Sequence, residues 1–199
     1  MLLVTSAVAA QAPALLPLPQ AGEYRSQTVS HGDAGNGGGE GAFNAESLLT
    51  WRFVGDPRIS PDGTRIVYVQ ASVNRERDSY DRDLWIAEQG SPARQLTAGT
   101  HDDDAPRWSP DGRRLAFAST HSGKRQLHVQ EFPGGEPWQL TVDADGVGAF
   151  AWSPDGKRIA FVSRREGDTG GQVYLVPVDG GEAERVTDMP LGVSDLKWL

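Results

Sequence analysis

Ser-Pro-Asp-Gly occurs three times in this chain, at Ser60, Ser109 and Ser153, and each copy runs into a basic residue and a short apolar strand. The strands are Arg65-Ile66-Val67-Tyr68-Val69, Arg114-Leu115-Ala116-Phe117-Ala118 and Arg158-Ile159-Ala160-Phe161-Val162. The copies stand 49 and 44 residues apart, close to the roughly 40–50 residues of one four-stranded propeller blade. Proline presets φ at the second turn position, serine and aspartate oxygens bond nearby amides, and glycine takes the left-handed conformation. A tight hairpin repeated at blade spacing is therefore expected.

The likeness extends beyond the tetrapeptide. Asp83-Leu84-Trp85-Ile86-Ala87, Gln126-Leu127-His128-Val129-Gln130 and Gln172-Val173-Tyr174-Leu175-Val176 supply a third strand to each unit. Arg94-Gln95-Leu96-Thr97, Trp138-Gln139-Leu140-Thr141 and Arg185-Val186-Thr187 supply a fourth, after turns rich in glycine and proline. The spacing predicts an all-β chain, a β-propeller of four-stranded antiparallel blades at about 52–97, 105–141 and 149–187. Residues 193–199 begin a fourth blade, with Trp198 in the slot of Ile59, Trp108 and Trp152, and Leu199 where the other units have serine. The recurring tryptophans read as packing between blades.

Three complete blades are fewer than the four to eight or so of a closed ring, so the chain reads as a fragment with uncovered sheet faces at its ends. On its own it is expected to be marginal or to aggregate. The remaining domain limits follow from composition. Residues 1–12 hold the apolar run from Leu2 to Ala10, with Ala7-Val8-Ala9 and Ala10-Gln11-Ala12 resembling a signal-peptidase site, although no basic residue precedes Arg25. An export signal, and hence a periplasmic or secreted location, is one reading; a disordered Ala/Pro-rich terminus on a cytoplasmic protein is the other. Residues 13–42 read as a disordered Pro/Gly-rich linker, since Gly35 to Gly41 lacks the strand, lysine and helix of a phosphate loop. Residues 43–199 form the partial propeller, opened by a short helix over Ala45 to Leu49, capped by Asn44 and stapled by Phe43 and Leu48.

The formal charge of −8 without a basic stripe argues against a nucleic-acid partner, and none is expected. The apolar start is too short to span a bilayer, so no membrane partner is expected. The chain has no cysteine, which removes disulfides and thiolate metal sites. No Gly-x-Ser-x-Gly elbow is present. The histidines, His31, His101, His121 and His128, are not spaced as zinc ligands. No catalytic, cofactor-binding or metal residue is assigned, and no cofactor is expected.

Three polar segments stand out along the chain. His101-Asp102-Asp103-Asp104 reads as a solvated loop in which Asp103→Ala would change stability by no more than about 0.5 kcal/mol. Asp143-Ala144-Asp145-Gly146 imitates the start of a calcium loop without its later ligands. Asn74 to Asp83 reads as a long charged loop between strands, solvated or a contact surface.

The runs Ile59-Ser60-Pro61-Asp62-Gly63, Trp108-Ser109-Pro110-Asp111-Gly112 and Trp152-Ser153-Pro154-Asp155-Gly156 resemble the TolB-type propeller repeat. With Leu48-Leu49 leading to Asp56-Pro57-Arg58-Ile59-Ser60, and with Asp83-Leu84-Trp85-Ile86, residues 43–199 resemble the N-terminal propeller of prolyl oligopeptidase family serine peptidases of the acylaminoacyl-peptidase and dipeptidyl-peptidase kind. That resemblance implies a non-catalytic, substrate-gating portion whose partners are a C-terminal α/β-hydrolase domain of the same polypeptide and a short peptide substrate. The alternative is a TolB-like periplasmic scaffold that binds proteins and has no enzyme activity.

Overall fold

The computed structural model describes residues 2–3 and 49–198. Among these the regular elements are strands: β1 (Leu2–Leu3), β2 (Arg52–Ile59), β3 (Arg65–Asn74), β4 (Ser79–Glu88), β5 (Arg94–Gln95), β6 (Asp103–Trp108), β7 (Arg114–Ser119), β8 (Gln126–Glu131), β9 (Trp138–Gln139), β10 (Val147–Trp152), β11 (Arg158–Ser163), β12 (Gln172–Pro177), β13 (Glu184–Arg185) and β14 (Lys197–Trp198). They form three four-stranded antiparallel sheets in chain order, β2–β5, β6–β9 and β10–β13, which are blades 1, 2 and 3. β14 opens the next unit and pairs with β1, Leu2 opposite Trp198. The expected linker, the expected export signal apart from Leu2 and Leu3 in β1, and all of the expected helix but Leu49, which lies in a turn, fall outside the described residues.

Each repeat turn is closed by one set of hydrogen bonds. The Ser60, Ser109 and Ser153 hydroxyls donate to Asp62, Asp111 and Asp155 at 2.5, 2.6 and 2.6 Å. The same carboxylate oxygens accept the backbone N–H of Thr64, Arg113 and Lys157. The glycines close the turn at φ of 73°, 68° and 67°, where a Cβ is strained. Gly112 has a second constraint: a Cβ there would lie 3.2 Å from Cδ of Pro61 on the preceding turn, whereas Gly63 faces open space.

Strand alternation decides which neighbour a side chain meets. Leu115 and Phe117 of β7 face blade 1 and join Val67, Val69 and Leu84. Ala116 and Ala118 of the same strand face blade 3 and join Ile159, Phe161 and Trp152. Ala160 and Val162 of β11 then receive Val193, Leu196 and Trp198. In β7 and β11 the bulkier residues thus face the preceding blade, while Leu127 and Val129 of β8 join Ala116 and Ala118 against blade 3. The tryptophans finish each joint. The indole N–H of Trp108 donates to the Arg58 carbonyl at 3.1 Å, that of Trp152 to Arg107 at 2.9 Å and that of Trp198 to Ala151 at 3.4 Å. Ile59, first in this series, is 66% exposed.

The inner strands share a bulge three residues before the tryptophan slot, with register shifts between Gly55 and Arg58, Asp104 and Arg107, and Val147 and Phe150. Asp56 and Ala105 occupy it at φ of 45° and 53°, and Asp56 bridges Arg58 at 2.5 Å and Arg107 of the next blade at 2.8 Å.

Two sequence expectations are corrected. Residues 74–83 are no loop: β3 and β4 continue to Asn74 and Ser79, leaving a four-residue turn, and Asp81 is held by Asn74 and Arg77. Period-two alternation is hidden there because the hairpin rises past the blade and charges occupy both its faces. Nor is His101 to Asp104 a solvated loop. β6 starts at Asp103, whose side chain is 1% exposed, so Asp103→Ala removes a buried charge from a joint and is not neutral.

Two measurements test this frame. Gly63→Val is expected to lose about 1–2 kcal/mol from left-handed strain, and Gly112→Val more, because its side chain also meets Pro61; equal losses in denaturant titrations would show that the turns do not abut. Asp62, Asp111 and Asp155 are each held below the usual carboxylate range, first by the serine hydroxyl and then by a backbone N–H. A depressed folded-state value stabilises the protein above the unfolded value, about 3.9 for Asp, and that stabilisation is lost as pH falls through the lower folded values. The melting temperature is therefore expected to drop below about pH 4, less steeply in Asp111→Asn.

Candidate functional site

The joints between blades hold the concave surfaces of the molecule. A cavity of about 740 Å³ lies at the joint of blades 2 and 3, lined by Asp143, Arg164, Arg165 and Glu182. One of about 470 Å³ lies at the joint of blades 1 and 2, lined by His101, Asp103, His121, His128 and Glu136 against Leu96 and Phe117. A third, of about 330 Å³, is framed by the inner strands around Arg107, Arg125 and Asp195.

The two outer joints are built to one plan, which makes their differences informative. In blade 2 the Gln126 side chain clasps the chain that leaves the fourth strand. Its oxygen accepts the Thr141 hydroxyl at 2.8 Å and the Asp143 N–H at 3.0 Å, and its amide donates to the Asp143 carbonyl at 2.6 Å. Gln172 of blade 3 does the same with Thr187 and Met189. Blade 1 keeps the threonine, with Leu84 N–H donating to Thr97 Oγ1 at 2.9 Å, but Asp83 occupies the glutamine slot. Aspartate is shorter and, when ionised, has no hydrogen to donate. Its Oδ1 is buried without a hydrogen-bond partner.

The second difference is Asp103, which stands at the first position of β6 where β10 has Val147. Its Oδ1 is also buried and unpartnered, while Oδ2 lies 3.5 Å from Nε2 of His101. The third concerns the residue two positions past the second strand. In blade 3 it is Arg165, whose guanidinium grips Asp143 of blade 2 at 2.6 and 3.2 Å. In blade 2 it is His121, whose Nδ1 meets Nδ1 of His101 at 3.4 Å, the rings 4.7 Å apart edge to face. His101 fits because Gly99 makes room: a Cβ there would fall 2.4 Å from its Cε1.

Burial and the neighbouring Asp103 raise Asp83 above the ordinary carboxylate range. Burial pushes His128 below the ordinary imidazole range. Around them, Arg82 is tied to Asp102 at 3.2 Å and Arg125 to Asp104 at 2.6 Å, so the nearest cations already have carboxylate partners.

The structure thus brings His101, His121, His128 and Asp103 together from segments that the sequence reading kept apart, whereas His31 lies outside the described residues. Asp143 is buried against Arg165 and serves as an ion-pair partner, not a calcium ligand. Among the described residues no group of three or more His, Asp or Glu side chains is placed to hold a metal ion. The repeat serines are buried turn donors to aspartate. Asp83 escaped the sequence reading, although alignment of the third strands sets it opposite Gln126 and Gln172.

The uncharacterized peptidase YuxL of Bacillus subtilis is 44% identical over 157 residues, 78% of this chain and 17% of that protein. Dipeptidyl-peptidase 5 of Porphyromonas endodontalis is 32% identical over 104 residues, 51% of this chain and 15% of that protein. The chain therefore spans under a fifth of the length of these relatives. Pyrococcus horikoshii acylaminoacyl peptidase superimposes with a TM-score of 0.59 at 19% identity, covering 72% of this chain and 26% of that one. A putative TolB from Agrobacterium tumefaciens gives 0.53 at 28% identity, covering 66% and 48%. Residues 43–192 match the TolB beta propeller domain, and with three repeat blades joined by one recurring set of contacts, the chain belongs to that family and is related to peptidases.

Proposed function

We propose that this chain is the propeller portion of a serine peptidase acting on short peptides. In this reading an α/β-hydrolase domain of the same polypeptide carries the nucleophile, and the propeller restricts what reaches it. The observation that carries the reading is the 44% identity over 157 residues to a polypeptide named as a peptidase, of which those residues are 17%. The dipeptidyl-peptidase relative and the acylaminoacyl-peptidase likeness support it. The chemistry of the chain fits as well. Its serine hydroxyls at the repeat turns donate to carboxylates instead of to a general base, so its contribution is a wall and not a nucleophile.

A closed wall around an active site selects by size, since a folded protein cannot pass an opening that admits an extended tetrapeptide. Export to the periplasm or beyond belongs to the same proposal, with processing after Ala9 or Ala12; removal of residues 1–9 would take Leu2 and Leu3 away from β14. The second reading, a TolB-like protein-binding scaffold, is supported by the Agrobacterium likeness at 28% identity.

The test uses the polypeptide as its source makes it. A fluorophosphonate probe is expected to label one serine outside residues 1–199, and cleavage is expected to fall steeply between tetrapeptides and a folded protein of the same cleavage sequence. Absence of labelling favours the scaffold. Labelling with equal cleavage of long and short substrates keeps the peptidase and removes the gating role.

A further inference from the structure

The joint of blades 1 and 2 departs from its counterpart at three positions, and all three departures meet in one place. Asp83 replaces the clasping glutamine, Asp103 replaces a buried valine, and His121 replaces the arginine that pairs across the next joint. Together they exchange a permanent positive charge for imidazoles and add two buried carboxylate oxygens that lack donors. A buried acceptor left without a donor costs on the order of 1–3 kcal/mol, more when charged. The joint as it stands is short of positive charge.

We infer that this joint is a proton-operated lock: the cluster of Asp83, Asp103, His101 and His121 takes up a proton as the medium becomes mildly acidic, and the proton draws blades 1 and 2 together.

The geometry gives the proton places that answer the missing contacts. On His101 it lets Nε2–H donate to Asp103 Oδ2 while Nδ1–H donates to the unprotonated Nδ1 of His121, so that two weak contacts become charge-assisted. On Asp83 it makes a carboxylic acid, which donates where Gln126 and Gln172 donate with an amide. Histidine is the side chain whose ordinary titration falls between pH 5 and 8.

The charged and titratable groups facing the cluster are Arg82 and Asp102, His128, and Glu136 across the cleft. Arg82 is engaged by Asp102, and buried His128 resists charging, so neither removes the surplus of negative charge. At the joint of blades 2 and 3, Arg165 is held above even the ordinary guanidinium range by its bond to Asp143. That joint carries no switch over the same pH interval.

Sign and window follow from linkage. A folded state that binds a proton more tightly than the unfolded chain is stabilised at low pH and loses that stabilisation as pH rises. This is the reverse of the turn aspartates, and it acts near neutrality instead of below about pH 4.

Hydrogen exchange on the polypeptide as its source makes it, corrected for intrinsic rates, tests the lock at pH 6 and pH 8 in the presence of EDTA. Protection of residues 97–103 and 119–126 is expected to be roughly tenfold greater at pH 6, with residues 141–147 and 163–171 unchanged. His121→Arg and Asp83→Gln install residues that the fold already uses at the equivalent positions, and each is expected to abolish the difference. Imidazole NMR provides the second readout, in which His101 and His121 titrate as one coupled pair that separates in Asp103→Asn. Equal protection at both pH values, a difference retained in either variant, or independent titration of the two histidines would overturn the inference.

Discussion

The structure depends on the alternation of the second strand of each blade, which sends successive side chains into two different joints. Leu115, Phe117, Ile159 and Phe161 point to the blade before, and Ala116, Ala118, Ala160 and Val162 point to the blade after. Leu115 and Phe117 meet Val67, Val69 and Leu84, Ile159 and Phe161 meet Ala116, Ala118, Leu127 and Val129, and the indole of each following unit closes the joint on a main-chain carbonyl. A stack built this way has nearest-neighbour cohesion only, which is why each joint can differ from the next without disturbing the turns or strand registers on either side.

That independence lets chemistry collect at one joint. Blades 2 and 3 meet through Asp143 and Arg165, a guanidinium that this bond holds above its ordinary range. Blades 1 and 2 meet through His101, His121 and Asp103, with Asp83 behind them. The scaffold is the same in both places, so the difference lies in side chains grafted onto it.

The fold was legible because its determinants are local and repeated. Ser-Pro-Asp-Gly specifies its own turn through contacts within five residues, and three copies fix the spacing. The tryptophan slot was legible for the same reason. The cluster at the first joint was not, because His101 and His121 come from beside the ends of two strands and Asp83 from the middle of a third, and no pattern along the chain relates them. Asp103 was misread because an acidic run suggests solvent, and only the pairing of Asp103 with Ser119 places its side chain inside. The β3–β4 hairpin was hidden by its charges, which satisfy one another across the ladder through Asn74, Arg77 and Asp81. A closer comparison of repeat with repeat exposes Asp83, since a residue that breaks the rule of its siblings is visible without any structure.

The bond from each indole has an acceptor that belongs to the main chain. Arg58, Arg107 and Ala151 serve it equally well, because the latch asks nothing of their side chains. The position before the tryptophan slot is thereby free to drift in sequence while the joint stays shut. Two of the three occupants use that freedom: both arginines turn their guanidinium groups onto Asp56, Arg58 within its own strand and Arg107 across the joint of blades 1 and 2.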